Sequence, residues 1–248
     1  MTGGLHVVTR PADGTGDPGA PPVVVVHGAM DRASSFGRLA KRLRDLDVIA
    51  YDRRGYAGSF DRGPSTCFDH QVDDLLEVLD GAPAVLVGHS YGGNVVLAVA
   101  AEHPQLVPSA VVFEAPAPWE PWWPDRSATD GRDPAEVAER FMRRMVGERT
   151  WGALPASTRA ARRAEGATML AEVAALGAVR PYDPAAVRAP VVVGWGAGSP
   201  EHLRQAARQL VDDLPDATGV EVAGSSHGVH LTHPGDLAAL VRAAVAAA

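Results

Sequence analysis

The sequence predicts an α/β fold, a mostly parallel sheet covered on both faces by helices. Two observations carry that expectation. Short apolar runs recur along the chain at Val23 to Val26, Val48 to Tyr51, Ala84 to Val87, Ala110 to Phe113 and Val191 to Val193. They lack the polar alternation of a half-exposed strand, so they read as strands buried on both faces. Between them lie longer stretches with helical spacing: Ser35 to Leu46, Phe68 to Leu79, Asn94 to Glu102, His202 to Leu214, and Asp236 to the end. Strand and helix in alternation build a parallel sheet with helical crossovers.

The remaining elements fit around this frame. A first strand is expected at Leu5 to Thr9, followed by a turn rich in Pro, Gly and Asp from Pro11 to Pro22. A short last strand, Gly219 to Val222, is bounded by the turn signals Pro215 and Gly224. The rhythm breaks between Ala115 and Ala189, where Trp119, Trp122 and Trp123 give way to Arg-, Ala- and Glu-rich helical sequence. Residues 115–189 are therefore expected to form a lid inserted between two core segments, 1–114 and 190–248.

Bulk properties narrow the function. With 248 residues, the chain suits one compact core carrying a modest insertion. A hydrophobic fraction of 46% and a charged fraction of 21% are those of an ordinary globular protein. A net charge of -7 opposes binding to nucleic acid, since basic residues gather only in short pairs such as Arg143-Arg144 and Arg162-Arg163. Neither a secretory signal nor a membrane-length apolar run is evident, so a cytoplasmic protein without membrane attachment is expected. Cys67 is the sole cysteine, which excludes an internal disulfide and a cysteine-rich zinc site.

The most informative run is Val87-Gly88-His89-Ser90-Tyr91-Gly92-Gly93. It places G-x-S-x-G directly after an expected buried strand and before a helical pattern, the context this motif requires. A sharp strand-to-helix turn forces the serine into a strained conformation, and Gly88 and Gly92 leave room for it. The Ser90 hydroxyl is then presented outward as a nucleophile. The Tyr91 N–H, at a helix amino terminus, can stabilise a developing oxyanion.

On these residues the chain resembles the α/β-hydrolase superfamily. His27-Gly28-Ala29 is similar to that family's oxyanion loop, and Asp52-Arg53-Arg54-Gly55-Tyr56-Ala57-Gly58-Ser59 to its D-x-R-G-x-G-x-S segment. The resemblance implies the α/β-hydrolase fold with a small helical lid, and implies that the Ala29 amide is the second oxyanion donor. His27, Asp52 and Arg53 read as structural.

A serine nucleophile needs a general base, and histidine suits the task. Of the nine histidines, His227 stands after the last expected strand and the turn Ala223 to Ser226, where the family's base lies. His230 and His233 follow closely. Three neighbouring histidines could instead ligate a metal, but no carboxylate or cysteine nearby completes such a site, so none is assigned. His230 is a candidate for lining the pocket, or equally a packed or capping histidine.

The third member must orient the imidazole and balance its charge. In the family pattern an aspartate follows the penultimate strand, but here Ser199 stands in that place. Glu114, at the carboxyl end of the strand after the nucleophile helix, is the expected substitute, since ligand-facing residues collect at that sheet edge. Asp183, Asp212 and Asp213 are weaker alternatives. Trp119, Trp122 and Trp123, with Pro116, Pro118, Pro121 and Pro124, would either line a pocket for an apolar or aromatic acyl substrate or form the lid's own small core.

The expectation is thus a serine hydrolase acting on a carboxylic ester of a small molecule, with neither metal nor organic cofactor. A thioesterase, lactonase, haloperoxidase or cofactor-free lyase or cyclase could use the same elbow. A small-molecule receptor with vestigial hydrolysis is the rival from another class, and the loss of acid at Ser199 is what favours it.

Overall fold

A computed structural model describes residues 4–124, 131–177 and 179–248. Its strands are β1 (Val7–Arg10), β2 (Val23–Val26), β3 (Val48–Tyr51), β4 (Val85–His89), β5 (Ala110–Phe113), β6 (Val191–Gly196) and β7 (Ala217–Val222). They form one sheet in the order β1-β3-β2-β4-β5-β6-β7, with only the β1–β3 pairing antiparallel. The described helices are α1 (Gly37–Ala40), α2 (Asp69–Leu79), α3 (Tyr91–Glu102), α4 (Pro134–Val146), α5 (Glu148–Ala153), α6 (Ala156–Ala164), α7 (Gly166–Leu176), α8 (Glu201–Asp213), α9 (Val229–Thr232) and α10 (Pro234–Ala246).

The two faces of the inner strands feed different cores. Val24, Val26, Leu86 and Val112 pack with residues of α2, α3 and α8, while Val23, Val25, Val85, Val87 and Phe113 pack with α1 and α10. This explains the unbroken apolar runs, because every position in β2, β4 and β5 is buried. Strand order reverses direction between β2 and β4, so the loops after those strands diverge and open a crevice at their carboxyl ends.

One expected helix is mostly absent. Residues 33–46 form a 3₁₀ turn (Ala33–Phe36), the four-residue α1 and further tight turns, with Arg42 N–H bonding the Leu39 carbonyl and Leu46 N–H bonding the Leu43 carbonyl. Phe36, Leu39, Leu43 and Leu46 are buried there. Successive three-residue turns satisfy the same apolar spacing as a continuous helix.

Helices α4 to α7 stand together over the region 134–176, within the expected lid. Their core joins Val137, Ala138, Met142, Trp151 and Met169 to Met30 and Tyr56 of the main body. Buried charges reinforce this junction: Arg162 pairs with Glu165 and donates to the Met30 carbonyl, and Glu165 accepts the Ala57 N–H at 3.0 Å.

Candidate active site

Register brings the key residues together. His89 of β4 is opposite Phe113 of β5, which is opposite Gly194 of β6, so the residues leaving these strands emerge side by side. Ser90 N–H bonds the Phe113 carbonyl at 2.8 Å, and Glu114 N–H bonds the Gly194 carbonyl at 3.1 Å. Both residues carry positive φ, Ser90 at 54° and Glu114 at 51°. Met30, in the loop after β2, has φ 58°. Non-glycine residues rarely hold this conformation, and such strain tends to gather at functional sites.

The elbow tolerates the strained serine because its neighbours lack side chains. A Cβ on Gly92 would lie 2.2 Å from the Val26 carbonyl oxygen, and one on Gly88 would lie 2.6 Å from that of Gly92. Gly28 presses from the other side, where an added Cβ would be 2.9 Å from Ser90 Cβ. The His27-Gly28-Ala29 loop therefore runs directly beside the serine.

His227 follows β7, which pairs with β6 up to Gly196 and Val222. Its Nδ1 lies 2.6 Å from Glu114 Oε2. A carboxylate accepts there, so the proton is on Nδ1 and Nε2 keeps its lone pair. Glu114 is fully buried, and its other oxygen accepts the Gly196 N–H at 2.7 Å. Ser199 lies beyond that amide with a buried, unpartnered hydroxyl. Ser90 Oγ is not hydrogen-bonded to His227 in this structure; such contacts are often long before a substrate binds.

A second feature was not evident from the sequence. His89 Nε2 donates to the His227 backbone carbonyl at 2.7 Å, and the two rings are 4.7 Å apart. Burial first, then His230 and His227, hold the His89 imidazole well below its usual pKa, so it is neutral with a bare Nδ1. The general tolerance of the G-x-S-x-G motif at its second position hides this contact.

His230 is buried, stacked on Phe36 at 4.5 Å, with Nε2 3.2 Å from Asp31. Its ring also lies 4.6 Å from that of His89. Asp31, His89 and His230 offer ligand atoms within 4.8 Å of one another. The Asp31–His230 pairing and the His89 bond to His227 engage Asp31 Oδ2, His230 Nε2 and His89 Nε2, and no metal is assigned.

Trp119 packs half-buried against the main core, 6.3 Å from the Tyr182 ring, beside a cavity of about 10 Å³ that also touches Asn94 and Leu210. That volume suits about one water. Trp122 contacts Trp123, and Trp123 meets His202 of α8 at 4.8 Å.

Comparison with known proteins identifies the family and the fold. A model of the alpha/beta hydrolase family matches residues 23–240. The hydrolase YugF of Bacillus subtilis is 35% identical over 103 residues, 39% of this chain and 37% of that protein. Lipase LipV of Mycobacterium tuberculosis is 33% identical over 102 residues, 40% of this chain and 39% of that lipase. The chain thus matches little more than a third of the length of these curated relatives. A crystal structure of an alpha/beta hydrolase from Sphaerobacter thermophilus superposes with a TM-score of 0.70 and 26% identity, covering 96% of this chain and 95% of that one. Among the described residues no helix is long and apolar enough to cross a membrane.

Proposed function

The chain belongs to the alpha/beta hydrolase family, and on that premise we propose that it is a serine hydrolase cleaving carboxylic esters of small molecules. Ser90 is the nucleophile, His227 the base and Glu114 the acid. His227 Nε2 takes the hydroxyl proton as Ser90 Oγ attacks the acyl carbonyl, and then returns it to the leaving alcohol. The Ala29 and Tyr91 amides receive the charge on the carbonyl oxygen, and water attacks the acyl enzyme by the same route in reverse. Because no step requires a metal or organic cofactor, none is invoked.

The observation that carries this reading is the 2.6 Å contact between His227 Nδ1 and Glu114, since it presents a bare Nε2 and a partner for the imidazolium. It also speaks against a vestigial site, because Glu114, just after β5, offers a carboxylate in place of the one missing at Ser199. The lipase among the partial relatives agrees with ester chemistry. A panel of p-nitrophenyl esters of varied chain length, run on wild type and Ser90→Ala, tests the proposal. Turnover that vanishes in the variant supports it; equal rates from both proteins refute it.

A further inference from the structure

Arg53 lies fully buried where the loop after β3 meets the lid. Its Nε donates to the His27 carbonyl at 2.8 Å and its Nη2 to the Gly28 carbonyl at 3.1 Å. The Arg53 backbone N–H donates to His27 Nε2 at 2.9 Å, which leaves the His27 proton on Nδ1, and Nδ1 donates to Gly28 O at 2.7 Å. Burial, then the Arg53 charge, pushes the His27 pKa down to about 3, in keeping with a neutral ring. The Gly28 carbonyl therefore accepts two donors.

That carbonyl shares a peptide unit with the Ala29 N–H. The unit is planar and trans, so its N–H points opposite to its C=O. Fixing the carbonyl against Arg53 and His27 thus fixes the direction of the Ala29 N–H, away from the guanidinium. Drawing electron density toward the oxygen also polarises the N–H and makes it a stronger donor. The guanidinium is 4.7 Å from the Tyr91 ring, so it stands behind both proposed oxyanion residues.

What holds Arg53 there comes from the lid. Glu172 of α7, itself fully buried, pairs with Arg53 Nη1 and accepts from Nη2 at 3.2 Å. Tyr56 Oη donates to Glu172 at 2.7 Å, and Gln71 of α2 bonds both partners. The guanidinium sits between Glu172 and the loop carbonyls, so the positive end of the pair faces the loop. Low local dielectric lets that orientation matter.

From this geometry we infer that Arg53, anchored by Glu172 of the lid, is a positioning residue for the Ala29 oxyanion donor, making catalysis depend on α7 being docked. The inference rests on the serine-hydrolase reading. It predicts a defect confined to the transition state.

The test compares wild type with Arg53→Lys, which keeps the charge opposite Glu172 but loses the fork, and with Arg53→Gln/Glu172→Gln, which removes both charges together. Each is assayed on a p-nitrophenyl ester and titrated with a trifluoromethyl ketone, whose adduct on Ser90 carries an oxyanion. Losing a whole oxyanion donor costs about 100- to 1000-fold, so weakening one should lower kcat by roughly 10- to 30-fold. KM should stay within about threefold, and ketone affinity should fall by the same factor as kcat. The pH midpoint of kcat/KM should not move. Wild-type kcat and ketone affinity in both variants, or a change in KM alone, would overturn the assignment. A wild type that turns over no ester would instead sink the hydrolase reading itself.

Discussion

Glu114 and His227 are separated by 113 positions in sequence, yet their side chains meet at 2.6 Å across the carboxyl edge of the sheet. Glu114 directly follows β5 and is braced by the Gly196 amide at the end of β6. Ser199 lies in the loop that follows β6, so the amide that opens that loop orients the Glu114 carboxylate. One backbone donor and one imidazole account for both carboxylate oxygens.

Replacing Glu114 with Gln keeps the shape but removes the charge and lets an amide face Nδ1. The imidazole is then held in the wrong tautomer. We expect kcat to fall on the order of 1,000- to 10,000-fold with KM little changed, as for loss of the acid in serine triads generally. Steady-state kinetics on a p-nitrophenyl ester, with circular dichroism to verify folding, provides the check; turnover within tenfold of wild type would remove Glu114 from the mechanism.

Ser199 predicts the opposite behaviour. Its hydroxyl is buried and unpartnered, and a buried polar group left unpaired costs about 1–3 kcal/mol. Ser199→Ala should therefore retain full kcat and unfold at the same temperature as wild type or a higher one. A large loss of activity would indicate that the loop after β6 contributes to the triad after all.

Acid sensitivity follows from two buried imidazoles. Burial, followed by Arg53, lowers the His27 pKa, with Asp31 and Asp52 opposing; burial, followed by His230 and His227, lowers that of His89, with Asp31 opposing. The unfolded chain binds protons at these positions from about pH 6.5 downward, while the folded protein does not. Stability is therefore complete above that pH and lost as pH falls, by up to about 1.4 kcal/mol per pH unit for each residue. Denaturant unfolding between pH 7.5 and 4.5 should show this slope, and His89→Gln should reduce it. An unchanged slope in that variant would contradict the neutral, buried assignment.

The sheet was legible because burial on both faces leaves an unmistakable pattern: Val23 to Val26 is uninterrupted, and β2 spans those residues. Ser90 was legible because its glycines are demanded by contacts on either side. Glu114 could be placed by reasoning about strand ends, though sequence alone gives no reach. Less was visible where pairing is long-range. Arg53 and Glu172 lie 119 positions apart, and nothing near Glu172 marks it as facing a guanidinium and not solvent. His230 stood equally open to a pocket-lining or a packed role, because nothing in its local sequence signals the stacking on Phe36. The stretch from Ser35 to Leu46 shows that apolar spacing of three and four fits tight turns as well as a helix.

The central claim is that Ser90 is a nucleophile activated by His227, and covalent capture tests it most directly. Folded protein treated with a fluorophosphonate should gain one phosphonyl group, located at Ser90 by peptide mass spectrometry. The modification should disappear in Ser90→Ala and slow by orders of magnitude in His227→Gln. Absence of any adduct on Ser90, or labelling of equal speed without His227, would contradict the account.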